Sequence, residues 1–213
     1  AKAAGFEGVE VPTVTQRTEL ENYRKHADRA GIEIISMLEN DLWKMPMSST
    51  DPEVRKAISA KIADNIRFAE ANGIDTILCV PGVICADSHY PDAYANALRG
   101  FRELAAVAER HGVTLAIENV WNKFLLTPVE FRGFIDSVAS PNVKAYFDCG
   151  NICLLGFPPD WIQILGKDRI AKVHVKGFSD YPNAIGFPKT LLSDVPWEET
   201  IQALRGIGYD GYL

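Results

Sequence analysis

Three residues able to bind a metal or move a proton recur at one kind of place in this sequence. Glu118 closes the apolar run TLAI, Asp148 closes KAYF, and His174 falls at the end of IAKV. Each is separated from the next by roughly 30 residues, the length of one strand-and-helix unit. Two carboxylates and one imidazole suit a borderline divalent ion such as Mn, Zn, Co or Mg. A lone acid at a strand end is commonly a cap or a solvated group, and a lone His after an apolar run is more often a core residue than a ligand. Three in equivalent positions shift the balance towards a shared site.

These side chains converge only if the strands that carry them lie side by side, about 4.8 Å apart. The chain repeats one unit: an amphipathic helix, a turn that usually contains Gly, and a short apolar strand. Helices are expected at 19–30, 52–72, 91–111, 128–138, 161–165 and 197–207, with strands after each. Ile62, Ile66 and Ala69 share one helical face, as do Leu104, Val107 and Ala108. The strands (TILCV, TLAI, KAYF) are apolar on nearly every residue, which suits parallel strands covered on both faces. With GVEV at the start and a strand beginning at Tyr212, seven strands are expected, and a preceding one implies eight. The α/β class with strict alternation to that count predicts a (β/α)8 TIM barrel, a single domain over 1–213. A doubly wound sheet shares the alternation, but its GxGxxG at the first turn is absent. Lys2 to Ala4 reads as a helix end stopped by Gly5, and GYDGYL as a strand cut short. The expectation is therefore a barrel truncated at both ends, without its first strand and the end of its last.

Composition narrows the partners. The chain has 213 residues, 47% hydrophobic and 23% charged, with a net charge of -6 and a pI near 5.3. That balance argues against a surface built for phosphate backbones, so no nucleic-acid partner is expected. No apolar run reaches the length of a membrane span, and the opening AKAAGFEGVEVP lacks a signal-peptide profile. Cys79, Cys85, Cys149 and Cys153 form no CxxC pair, which suits reduced thiols in a cytoplasmic protein.

Further polar residues fall on the face where barrel strands end, and a small-molecule substrate would meet them there. They are Glu10 in GVEVP, Trp43 after Glu39 and Asn40, His89 in CADSHYPD, Asn122 after Glu118, Asn151 after Asp148, and Lys176 after His174. Each has a plainer reading. Trp43 could pack its loop, Lys176 could be solvated, and His89 could be an ordinary loop residue. His26 and His111, near helix ends, read as solvated or capping groups.

The segments ENVWNKFLLTPVEF, YFDCGNI, KVHVKGF and GIGYDGYL, with AGFEGVEV at the start, resemble the xylose-isomerase-like sugar phosphate isomerase/epimerase family over essentially the whole chain. Within it, the likeness is greatest to sugar-phosphate 3-epimerases and hexulose-phosphate isomerases, with inosose dehydratases close by. The resemblance implies a (β/α)8 barrel, often dimeric or tetrameric, so a homo-oligomer is expected. It also implies one divalent metal ion, commonly Mn, held by Glu118, Asp148, His174 and a second Glu that would lie beyond Leu213. The implied reaction is isomerisation or epimerisation of a sugar or sugar phosphate through a metal-stabilised enediolate, with Glu118 transferring the proton. An inosose dehydratase-like lyase using the same metal site is the alternative.

Two positions depart from the pattern. Asn151 stands where some epimerases of the family carry a His, and Leu125 where free-ketose 3-epimerases carry a further Glu. Both move the expectation away from free ketoses. A nuclease related to endonuclease IV shares the barrel, but it needs many more His and acidic ligands and a basic groove. A non-catalytic binding module would be the reading if the second Glu were lacking.

Overall fold

Helix stops and strand starts are coupled closely along this chain. Gly112, at φ 63°, turns its N–H back onto the carbonyls of Ala108 and Glu109, and a strand begins two residues later. Only a residue that tolerates a left-handed backbone makes so abrupt a change without strain. In the computed structural model, which describes residues 2–180 and 185–213, this rhythm yields six strands. They are β1 (Gly8–Pro12), β2 (Glu33–Glu39), β3 (Thr76–Cys79), β4 (Thr114–Glu118), β5 (Val143–Asp148) and β6 (Ile170–His174). The helices are α1 (Arg17–Ala30), α2 (Pro52–Ala71), α3 (Tyr90–His111), α4 (Pro128–Val138), α5 (Cys149–Ile152), α6 (Pro158–Leu165) and α7 (Trp197–Gly206). Glu118, Asp148 and His174 are the final residues of β4, β5 and β6.

All strand pairs are parallel, and the order across the sheet is the order along the chain. A doubly wound sheet would reverse direction from its first strand, so that alternative is eliminated. The sheet curls as in a TIM barrel: Glu10 of β1 lies 3.6 Å from His174 of β6, and Ser36 of β2 lies 3.3 Å from Tyr146 of β5. Among the described residues the sheet has six strands, one fewer than expected. The missing one is the strand expected at Tyr212. Its carbonyl accepts a single ladder bond from Val173 N–H (3.2 Å) and is shared with the Tyr209 hydroxyl. One backbone bond sets no register. Tyr212 is held instead by its side chain, whose hydroxyl donates to Glu33 while Lys172 lies over the ring.

The two faces of each strand have different work. Outward residues such as Ile77, Cys79, Leu115 and Ile117 share one core with the apolar faces of α2 and α3, including Ile58, Ile62, Phe101 and Leu104, and Phe147 packs against Trp161 of α6. Leu78, Ala116 and Tyr146 face inward with Leu38 and Ala171, forming a small apolar floor. Polar residues one step further along the strands stand above that floor. No helix among the described residues is long and apolar enough to cross a membrane.

Candidate metal centre

Strand parity and register bring the three expected ligands together. Glu118 is two residues beyond Ala116 and Asp148 two beyond Tyr146, so both follow the inward-facing series. Asp148 is the register partner of His174, after a shift between Ala145 and Tyr146 that inserts one extra β6 residue. Such a bulge re-aims the strand that carries it. His174 Nδ1 lies 3.0 Å from Glu118 Oε1 and 3.9 Å from Asp148 Oδ2. One ligand atom from each of the three can be chosen so that all lie within 4.8 Å of one another. Metal–ligand distances of about 2.0–2.2 Å put the donors of one ion roughly 3–4.4 Å apart, so the donor set fits a shared ion after small side-chain adjustments.

Loops after the strands brace this cluster. Asn119, buried, exchanges two hydrogen bonds with the Asp148 backbone: its amide donates to the carbonyl (2.8 Å) and its oxygen accepts from N–H (2.9 Å). Asp148 Oδ1 accepts from Asn151 N–H (2.7 Å), and the Asn151 amide donates to Asn119 O (3.0 Å). Lys176 donates to Asn151 Oδ1 (2.8 Å) and pairs with Asp148 Oδ2 (3.2 Å), with Phe187 4.2 Å beneath its ammonium. Gly150 permits this approach, since a Cβ there would come within 2.5 Å of Lys176 O. Trp121 packs on Phe187 with ring centres 4.8 Å apart and donates its indole N–H to Asn151 O (2.8 Å). The result is an aromatic wall beside the carboxylates.

Charge is concentrated and only partly solvated. Burial pushes the Glu118 carboxyl above its ordinary range, against the opposing pull of the hydrogen bond to His174. Burial by itself would lower the His174 pKa. Its contacts with Glu10 and Glu118 override that effect and raise it to about 10. The basic side chains of the cluster face its acids: His174 lies between Glu10 and Glu118, and Lys176 against Asp148.

The remaining expected residues are placed as follows. Glu10 faces His174 Nε2 (3.6 Å) and accepts from Ser36 Oγ (2.9 Å). Asn151 and Lys176 join the cluster directly. Asn122 is buried and uses its side chain within the loops, donating to Gly82 O (2.7 Å) and accepting from Phe124 N–H (3.1 Å). Trp43 is half exposed in a short turn after β2, and His89 is exposed and paired with Asp92 (3.0 Å). Neither contacts the three ligands among the described interactions. Leu125 is buried at φ 56°, in a loop tied down by Tyr90 and Glu130.

Sequence reasoning did not single out Asn119, Ser36 or Tyr146. Ser36 and Tyr146 sit on inward-facing positions of EIISMLE and VKAYFD, where a polar atom in an otherwise apolar strand is the available signal.

Comparison with known proteins agrees with the fold. The chain is 28% identical over 186 residues to the 2-epi-5-epi-valiolone 7-phosphate 2-epimerase of an Actinoplanes species, covering 86% of this chain and 64% of that protein. It is 27% identical over 177 residues to the Escherichia coli protein named "Putative L-ribulose-5-phosphate 3-epimerase SgbU", covering 83% and 61%. The chain thus spans about three fifths of the length of these curated relatives. Among solved structures, a D-tagatose 3-epimerase-like protein superposes with a TM-score of 0.84 at 23% identity, over 98% of this chain and 80% of that one. The IOLI protein with a binding zinc atom superposes with a TM-score of 0.80 at 16% identity, over 99% and 79%. The family model described as "Xylose isomerase-like TIM barrel" matches residues 1–213, and the chain belongs to that family.

Proposed function

We propose that this protein is a divalent-metal-dependent isomerase or epimerase of a sugar or sugar phosphate. The observation that carries the reading is the convergence of Glu118, Asp148 and His174 at the ends of three successive strands. Glu118, Asp148 and the Nδ1 of His174 would hold the ion. Two carboxylates and one imidazole suit Mn, with Zn, Co and Mg as the other borderline or hard candidates. A bound ion would supply Lewis acidity, stabilising the negative charge that develops beside the carbon losing its proton.

The chain's own groups do the remaining work. Glu118 takes the proton from carbon; its return to the neighbouring carbon is isomerisation, whereas epimerisation needs a second acid to deliver a proton to the opposite face of the same carbon. Burial, which raises its pKa, makes its protonated form easier to reach in that cycle. Lys176 and Asn151 offer a cation and an amide to a substrate hydroxyl or phosphate. Trp121 and Phe187 give the substrate an apolar wall that excludes water. The epimerase names of the two relatives support this class of reaction, and the zinc in a structurally similar protein supports a metal. The four free cysteines support action in the cytoplasm.

Solvent deuterium exchange into free and phosphorylated ketoses tests the proposal, because it detects proton abstraction whatever the product. Metal-loaded protein should exchange with at least one of them. Glu118→Gln should fold normally and lose exchange by on the order of a hundredfold. A Glu118→Gln protein that exchanges at the parent rate would remove Glu118 from the chemistry. Loss of water from the substrate in the same assay would favour the lyase reading.

A further inference from the structure

His174 lies between carboxylates on both of its nitrogens. Nδ1 faces Glu118 (3.0 Å) and Asp148 (3.9 Å), while Nε2 faces Glu10 across the curled sheet (3.6 Å). Glu10 is itself anchored. Ser36 Oγ donates to Glu10 Oε2 (2.9 Å), leaving Oε1 for the imidazole. Ser36 Oγ also lies 3.3 Å from the Tyr146 hydroxyl, and the Tyr146 ring packs on the His174 ring with centres 4.3 Å apart.

Backbone irregularities occur where this arrangement needs them. The register of β1 on β2 shifts between Val9 and Glu10, so Glu10 meets Ser36 instead of Ile35. The matching shift on β6 precedes His174. Bulges that re-aim a side chain are found beside active sites.

We propose that Glu10 is the positioning residue for His174: its carboxylate, 3.6 Å from Nε2, is placed to take the Nε2–H when an ion is bound, which fixes the tautomer with Nδ1 free to ligate beside Glu118 and Asp148. An imidazole that ligates a metal through one nitrogen is commonly held in this way through the other, and loss of the second partner weakens binding. The inference rests on the metal-site reading above and assigns Glu10 a task distinct from touching substrate. Ser36 and the Tyr146 ring serve the same end, by holding the carboxylate and the plane of the imidazole.

The experiment measures Mn²⁺ affinity by calorimetry for the parent, Glu10→Ala, Glu10→Gln and Ser36→Ala, with circular dichroism to establish folding. Nitrogen NMR of the Zn²⁺-loaded proteins reports the His174 tautomer. Glu10→Ala should bind Mn²⁺ about 10- to 100-fold more weakly and lose the protected Nε2–H signal. Glu10→Gln still presents an oxygen acceptor and should recover most of the loss, whereas Ser36→Ala should lose affinity by less than Glu10→Ala.

Equal affinity in the parent and Glu10→Ala would overturn the proposal while leaving the metal site intact. So would a Gln variant as weak as the Ala variant, since charge alone would then explain the effect. If Glu10→Ala does not fold, Ser36→Ala decides: unchanged affinity there overturns the proposal. A parent that binds no Mn²⁺ or Zn²⁺ refutes the metal-site reading and this inference with it.

Discussion

His174 is the residue whose ionisation links stability to pH. Its pKa is about 10 in the folded, metal-free chain against 6.5 ordinarily: burial alone would lower it, but the contacts with Glu10 and Glu118 prevail. A pKa raised by folding adds stability that is fully present below pH 6.5 and is lost as the pH rises through about 10. The metal-free protein should therefore lose stability between pH 7 and 10 on account of His174. In His174→Gln that part of the slope should vanish, as denaturant unfolding across the pH range would show. Equal slopes in parent and variant would contradict the assigned environment. The same proton must leave before Nδ1 can bind an ion, so Mn²⁺ affinity should rise with pH over this window, with proton release on binding. The convergence of Glu118, Asp148 and His174 was legible in the sequence because each closes an apolar run. Glu10 was legible only as an acid on that face; its approach to His174, and that of Ser36 to Tyr146, were not legible, because they occur across the interior of a curled sheet.

Glu39 and Glu118 show what an element does to a residue. Both are the last residue of a strand, and from sequence alone both are acids at the same end of the barrel. Glu39 has the parity of Met37, which faces the helices, and Glu118 has the parity of Ala116, which faces the interior. Glu39 is accordingly buried against α2, bonded to Lys61 (2.9 Å) and to Asn65 and accepting from Asp41 N–H (2.8 Å). It fastens β2 to its helix. Glu39→Ala leaves the buried Asn65 amide without its acceptor, while Lys61 keeps Asp41, and should destabilise the fold by about 1–3 kcal/mol, with Mn²⁺ affinity per folded molecule unchanged. Loss of metal binding without loss of stability would place Glu39 in the site after all. The strands and helices themselves were legible because period, Gly stops and apolar runs agree. The strand expected at Tyr212 was not, because a strand is defined by its partners, and there the partner bonds come down to one.

Across the whole molecule, stability should follow the pairing of the sheet. β3 and β4 are paired on both sides and buried beneath α2 and α3, whereas β1 and β6 each have one strand partner among the described residues. Amide hydrogen exchange should be slowest in Ile77–Cys79 and Leu115–Ile117, and faster in Gly8–Pro12 and Ile170–His174. Uniform protection across the six strands would contradict this gradient. An ion held by Glu118, Asp148 and His174 would tie β4, β5 and β6 together at one point. At 100 times its dissociation constant it would stabilise the fold by about 2.7 kcal/mol. Mn²⁺ occupancy and unfolding midpoint, measured together on the parent and on Glu118→Ala, Asp148→Ala and His174→Ala, test the account most directly. We expect one ion per chain and a raised midpoint in the parent, with both reduced or lost in every variant; full occupancy in all three variants would contradict the account.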